Sequence, residues 1–424
     1  YAEATPMKNL VLRSQLGVDF SLSTTDVKSM PSFPGNNGIG SAGNATSNAL
    51  QLTATNTANY KLKINHIHDL NFMLGQEGVN YRSESFQVVT RGQNNDFLTT
   101  LSNGTYASSW ANSYSSYAYL SFFGRGEYNY MDKYYADFSL RSDASSRFGK
   151  NADAGLSLGG VQWGIFPSVN AAWLVSSESW FNIKPINSLK LRAGFDVVGN
   201  DAIDYYACRS YMQAVKFQDK FMGVQLGNVE NDGVKWESTA RFNVGLDAMF
   251  FENRLALSFD WYASKTKDLL VQKQYQFVTG MDKYWANGGE LSNMGLEASL
   301  NAKLINEKNF KWELGASLGH YSNKVTALDE ELAPVSIYGG EVITKVGQPV
   351  GAFWGYETDG VIASAKDADE YALYQTDATG AKSYFKAGDV KFVDKTGEGC
   401  INESDKTVIG NPNPDIYGNL FTRL

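Results

Sequence analysis

The chain alternates apolar and polar residues with a period of two, over runs longer than the five or six residues of an ordinary globular strand. Leu10, Leu12, Leu16, Val18, Phe20 and Leu22 share one face, while Arg13, Gln15, Asp19 and Ser21 occupy the other. Tyr134, Ala136, Phe138 and Leu140 oppose Asp137, Ser139 and Arg141 in the same way, and Leu189, Leu191, Ala193, Phe195 and Val197 oppose Lys190, Arg192 and Asp196. Phe242, Val244, Leu246 and Phe250 turn at 252–254 into Leu255, Leu257, Phe259 and Trp261. Leu296, Leu300 and Leu304 turn at 306–309 into Phe310, Trp312, Leu314 and Leu318. Because successive strand side chains point to opposite faces, one face of each strand suits hydrocarbon and the other suits water.

A soluble sandwich also alternates, but strands this long exceed what an apolar core about 10 Å thick requires. Lipid-facing barrel strands need about 9 to 11 residues simply to span the bilayer. The connections point the same way. Short joins at 65–69, 131–133, 177–186, 252–254 and 306–309 alternate with long segments at 23–57, 81–114, 143–162, 199–235, 271–287 and 326–416. Outer-membrane barrels have short periplasmic turns and long external loops, so the long segments are expected outside. Within the first of them, Gly35 to Gly43 and Asn44 to Asn59 are rich in Gly, Asn, Ser and Thr and read as mobile loop. The predicted fold class is all-β, a transmembrane antiparallel β-barrel, with about eleven strands plus one beginning near Tyr417.

Composition narrows the rest. With 43% hydrophobic, 13% aromatic and 19% charged residues among 424, the chain is not disordered. No run approaches the roughly 18 apolar residues of a membrane helix. A net charge of −8 excludes a general nucleic-acid binder, which would carry a basic face. That charge has one address: segment 326–416 carries 16 Asp and Glu against 7 Lys, net −9, which leaves the remainder at +1. Tyr1-Ala2-Glu3-Ala4 has no basic and apolar leader pattern, and the alternation resumes at Tyr417 just before Leu424. The chain is therefore expected to be part of something larger.

Several blocks resemble the barrel of SusC/RagA-like TonB-dependent outer-membrane transporters of Bacteroidetes. They are LRSDASSRFGKN (140–151), FPSVNAAWLVSSESWF (166–181), LKLRAGFDVVGN (189–200) and WESTARFNVGLDAMFFENRLALSFDWYASKTKDLL (236–270). NGGELSNMGLEASL (287–300), VGQPVGAFWGYETDGVI (346–362) and AGDVKFVDKTGEGCINESDKTVIGNPNPDIYGN (387–419) follow in the same order. Residues 1–114 resemble the family only in strand pattern. The resemblance implies about half of a 22-stranded barrel, with the plug domain absent from this chain. It also implies a SusD-like surface lipoprotein as lid, coupling to the TonB complex through that plug, outer-membrane lipid around the wall, and an oligosaccharide or oligopeptide as substrate.

Asp394 to Asp405 fits the spacing of a calcium loop, with oxygen donors at Asp394, Thr396, Glu398, Asn402 and Asp405, the backbone carbonyl of Cys400, and the required glycine at Gly399. The family pattern usually has Asn and Asp where Thr396 and Glu398 stand, and Asp405 replaces the bidentate Glu of an EF-hand. A hydrogen-bonded glycine turn that keeps the shape without metal is the competing reading. Cys208 and Cys400 both fall in expected external loops, where a disulfide would persist, and sequence leaves their pairing open. His66 and His68 share a strand face beside a short turn and read as polar residues of the periplasmic edge, since no third ligand accompanies them. No nucleophile motif such as G-x-S-x-G is present, so no enzyme activity is expected. Loop aromatics Trp110, Tyr284, Trp285, Tyr338, Phe353, Trp354 and Tyr356 are candidates for stacking on sugar rings. Interface packing or contact with the lid protein would use the same residue types.

The expected function is the barrel part of an energy-coupled importer of large nutrients, oligosaccharides in preference to oligopeptides, with no metal required for it. A surface receptor or adhesin without transport is the alternative, and a barrel enzyme the third.

Overall fold

The computed structural model describes residues 1–152, 155–217, 221–274 and 283–424. In chain order the strands are β1 (Ala2–Met7), β2 (Leu10–Ser29), β3 (Gly40–Ile64), β4 (His68–Gln93), β5 (Tyr106–Tyr130), β6 (Tyr134–Ser145), β7 (Leu156–Leu158), β8 (Val161–Leu174), β9 (Ile186–Asn200), β10 (Tyr211–Phe217) and β11 (Phe221–Asn228). They continue as β12 (Glu237–Phe250), β13 (Leu255–Lys267), β14 (Leu270–Gln274), β15 (Lys283–Asn287), β16 (Glu290–Asn306) and β17 (Lys311–Ala327). The next stretch holds β18 (Val335–Ile337), β19 (Gly340–Ile343), β20 (Ala352–Tyr356), β21 (Thr358–Val361), the helix α1 (Ala365–Tyr371), β22 (Tyr374–Thr376), β23 (Lys382–Tyr384), β24 (Val390–Phe392) and β25 (Lys406–Gly410), before the last strand β26 (Tyr417–Arg423). The chain divides into two compact units, residues 1–182, 190–238 and 270–287, and residues 183–189, 239–269 and 288–424.

The first unit is an antiparallel sheet in the order β1-β2-β3-β4-β5-β6-β8-β9. Its register collects the apolar parity of every strand on one face. Leu12, Ala58, Leu74, Gly124, Leu140 and Pro167 form a single row across six strands. That face is bare: Leu74 is 68% exposed, Leu16 69% and Phe20 65%. Monomeric soluble proteins do not leave so continuous an apolar surface in water, but hydrocarbon satisfies it. The opposite face is polar and knitted. Arg125 pairs with Glu127 and Asp137, Asn71 donates to Glu127, and Asn170 donates to Asp137.

At the short-turn end the apolar face finishes in rings. His68, Tyr130, Tyr134, Trp173 and Trp180 succeed one another at centroid spacings of 5.1, 6.1, 6.2 and 6.3 Å. Glu178 ties the row down, accepting from Lys133 Nζ, Tyr134 Oη and Trp173 Nε1 at 3.2, 2.7 and 3.2 Å. Amphipathic rings belong at a membrane interface, and His68 joins this row by bonding Tyr128 Oη at 2.8 Å.

The second unit repeats the arrangement with β12-β13-β16-β17-β26. Leu257, Leu300, Ala316 and Leu420 align on one face, while Asp260 and Glu297 pair on the other. Glycines on the inner face lie under aromatic rings. A Cβ at Gly319 would run into the Tyr417 ring, and one at Gly315 into Phe421. Beyond β17, a small sheet in the order β18-β19-β20-β25 carries the acidic segment.

Three expectations need correction. Segment 23–57 is not a long loop, because β2 and β3 pair without interruption to Ser29 and Ser41, which leaves 30–39 as the connection. Asn44 to Asn59 is strand, not mobile loop: it has ladder partners on both sides in β2 and β4, which outweighs the weak strand preference of Asn and Ala. Segment 81–114 shrinks to 94–105, since β4 and β5 pair as far as Arg91 and Tyr106. The segments 199–235, 271–287 and 326–416 contain their own hairpins and small sheets. Parts of 143–162, 199–235 and 271–287 lie outside the described residues. The period of two does not reveal β1, because Met7 breaks the parity of Ala2, Ala4 and Pro6, at a register irregularity between Ala4 and Met7. Among the described residues β1 pairs only with β2, and β26 only with β17.

Candidate functional site

In the first unit, residues around 148, 203–207 and 231–236 pack together against side chains of the inner wall. Phe148, Ile203, Ala207, Val234 and Trp236 form a buried cluster, and Tyr119, Phe166, Leu270 and Trp285 pack against it. Polar bonds fix its edges. Tyr119 Oη donates to Asp201, Tyr206 Oη accepts from the Ser116 amide at 3.1 Å, and Trp285 Nε1 donates to Asp204 at 2.8 Å. Asn287 closes a pair with the Lys235 backbone, accepting at 2.9 Å and donating at 2.9 Å. The hairpin β14-β15 thus belongs to the first unit.

The seven candidate aromatics are divided between the two units. Trp110, 61% exposed, has the parity of the apolar face, opposite Val88. Tyr284 and Trp285 sit on β15 opposite Lys273 and Gln272, with Trp285 engaged in the buried cluster. In the second unit, Tyr338 stands at the tip of the β18-β19 hairpin in the left-handed backbone region, φ 51°, fully exposed. Phe353 faces Val342 on β19, while Trp354 and Tyr356 turn to the other side of β20. Lys345 Nζ lies 5.9 Å from the Trp354 ring centre and Lys406 Nζ 5.5 Å from that of Tyr356. Lys406 is bonded to Glu341 and Glu403 at 2.8 Å each, and these carboxylates raise its pKa above the usual lysine range.

The 394–405 loop gathers three of its six expected ligands. Thr396 Oγ1 lies 3.3 Å from Asp394 Oδ1 and 3.1 Å from Asp405 Oδ1. A hydroxyl has one proton to donate, so Thr396 bonds one of these two oxygens at a time, and backbone amides supply further donors to both. Asp405 is wholly buried and accepts from the amides of Lys395, Thr396 and Asn402 at 2.9, 3.1 and 2.9 Å. Asp394 accepts from the Gly397 and Gly399 amides at 2.6 and 2.8 Å. Those bonds, that of Gly399 foremost, hold its carboxyl below the ordinary aspartate range. Gly397 and Gly399 both have φ of 75°, which glycine alone adopts without strain. Glu398 turns away to accept from the Asn402 side chain at 3.2 Å. Among the described residues, no three His, Cys, Asp or Glu side chains converge as a metal-holding group.

Cys208 is a buried free thiol and Cys400 a half-buried one. Burial raises the Cys208 pKa. Sequence reasoning missed the inner-face tyrosines of β4 and β5 and the loop residues that meet them, because only the register of the ladder and the fold-back of 199–209 place them together.

A bare apolar face, a polar inner face and an aromatic row at the short-turn end define an outer-membrane antiparallel β-barrel. The sequence profile described as "TonB dependent receptor-like, beta-barrel" matches residues 6–387, and the chain belongs to that family, in its SusC/RagA-type branch. TonB-dependent receptor P3 of Formosa agariphila is 32% identical over 70% of this chain and 29% of its own length. TonB-dependent receptor SusC of Bacteroides thetaiotaomicron is 26% identical over 99% of this chain and 40% of its own. Among solved structures, the RagAB peptide transporter superposes with a TM-score of 0.80 at 26% identity, covering 99% of this chain and 44% of that one. The chain spans less than half the length of these relatives.

Proposed function

We propose that the chain is the barrel part of an energy-coupled importer of large nutrients, working with a SusD-like lid lipoprotein and with the TonB complex through a plug outside this chain. The observation that carries this reading is the match of nearly all of this chain to part of SusC and of the RagAB transporter, joined to a wall with one hydrocarbon face and one polar face. The wall and loops would line the substrate path, and the energy-coupling parts lie elsewhere in the transporter.

Oligosaccharides are the preferred substrate class. Loop aromatics such as Tyr338 and Phe353 offer ring faces of the kind that stack on sugars. A second reading, oligopeptide import, is favoured by the similarity to RagAB, a peptide transporter. In the 394–405 loop, calcium would be held by Asp394, Thr396 and Asp405, whose side-chain oxygens come together there. Calorimetric titration of the metal-free protein with calcium tests this, and absence of both heat and stabilisation would remove it.

The import reading is tested by purifying the full-length protein from native membranes and identifying co-purifying lipoprotein and ligand by mass spectrometry. A bound oligosaccharide together with a lid lipoprotein is expected. Recovery of a surface adhesion ligand with no lid, and no uptake defect on deleting the gene, would overturn it in favour of a receptor.

A further inference from the structure

Two arginines sit six positions apart at the upper inner wall of the first unit, and their surroundings differ sharply. Arg141 is bonded along one edge of its fork: Nε donates to both oxygens of Asp143 at 2.8 and 3.0 Å, and Nη2 donates to Glu77 and Ser121 at 3.1 and 2.9 Å. Arg147 is not. Nη1 donates to the Asp201 backbone carbonyl at 2.9 Å, and the Asp201 carboxylate stands off at 3.6 Å. Its Nε is buried with no hydrogen-bond partner, although the side chain is only 12% exposed. A guanidinium has five N–H donors in a rigid fork, and buried polar groups are ordinarily satisfied.

The Asp201 carboxylate offsets this charge only through Oδ1 at 3.6 Å, because its other oxygen is engaged elsewhere. Its Oδ2 accepts from Tyr119 Oη and from Ser145 Oγ. Three tyrosine rings wall the guanidinium instead, with Tyr117, Tyr205 and Tyr119 centred 4.5, 4.8 and 5.8 Å from Cζ. Tyr117 and its cross-strand partner Tyr81 stack at 4.8 Å, and Tyr205 leans on both. Tyr117 and Tyr119 share the strand parity of Arg141 and Asp143, so the cluster lies on the polar face.

We infer that Arg147, with Tyr117 and Tyr205 beside it, is a subsite for an oxyanion carried on a sugar ring, a carboxylate or a sulfate ester. The fork supplies parallel N–H donors to the oxyanion, and the tyrosine rings take the apolar face of the ring that bears it. The inference rests on the reading of the polar face as a substrate path. Binding is measured at equilibrium without transport, so a protein that binds but does not import would sink the import reading alone.

The test is calorimetric titration of the full-length protein in detergent with glucuronate, with glucose 6-sulfate, and with glucose as the neutral control. At least one anionic sugar is expected to bind tenfold or more tightly than glucose, and the arm that responds identifies the oxyanion. Arg147→Gln should abolish the difference, and Arg147→Lys should retain only part of it, because an ammonium lacks the fork. Asp201→Asn should tighten the anion several-fold by removing the competing carboxylate. That gain cannot come from misfolding, so it carries the test if Arg147→Gln does not fold. Equal binding of charged and neutral sugars, or no binding of either anion, overturns the inference, as does an unchanged preference in Arg147→Gln.

Discussion

The indole N–H of Trp285 donates to Asp204 Oδ2 at 2.8 Å across 81 positions of sequence. Asp204 is exposed and Trp285 half-buried, so the bond closes the edge of the cluster built on Trp236 and Val234. Trp285→Phe keeps most of the ring and deletes the donor. It should cost about 1 kcal/mol locally, and amides of β14 and β15 should exchange about fivefold faster. Unchanged exchange in that hairpin would mean the bond contributes nothing.

The membrane assignment has a direct test on β16. Leu300 faces outward in line with Leu257, and Asn301 is exposed on the other face. Leu300→Arg should destabilise the lipid-folded protein by about 2 to 4 kcal/mol. Asn301→Arg should stay within about 0.5 kcal/mol, as for an ordinary solvated site. Denaturant titration in vesicles reads both, and equal costs would contradict hydrocarbon on the Leu300 side.

Gly149 passes so close to the Asp232 backbone that a Cβ there would overlap it. A backbone neighbour cannot swing aside as a side chain can. Gly149→Ala should therefore separate the two external segments at a cost of about 1 to 3 kcal/mol. Faster proteolysis within 143–162 and 199–235, with the strands still protected, is the expected signature. Wild-type protease resistance would show that the two segments are not locked.

The depressed carboxyl of Asp394 gives the acidic segment a pH dependence. A group whose folded pKa lies below its unfolded value of about 3.9 adds stability in full above that value. The contribution fades as pH falls through the folded value. Hydrogen exchange of 394–405, corrected for intrinsic rates, should be level from about pH 7 to 5 and lose protection below about pH 4. Asp394→Asn should lower protection throughout and flatten this dependence. A wild-type profile that stays level into strong acid would contradict the assignment.

Much of the wall is legible in the sequence. Leu12, Leu140 and Leu300 announce their face because a strand in a bilayer must repeat one choice at every second residue. The upper halves of β3 and β4 are not legible. Asn44, Ser47 and Asn48 are polar on both parities of the strand, so no alternation appears there, and only pairing with β2 and β4 makes them strand. The candidate site is legible in residue types and not in grouping. Trp285, expected to meet substrate, packs inside a loop cluster, and Trp110 has the outer parity.

By itself the sequence determined the all-β wall, its two chemically opposite faces, the short turns and the acidic segment, because each is a local consequence of period, turn chemistry or composition. Only the tertiary structure decided which strands extend beyond the apolar band, which loops share a core, and that Arg147 stands among tyrosines with part of its fork unbonded. Those contacts join residues tens of positions apart, and their partners are selected by register and loop closure, which leave no period in the chain to read.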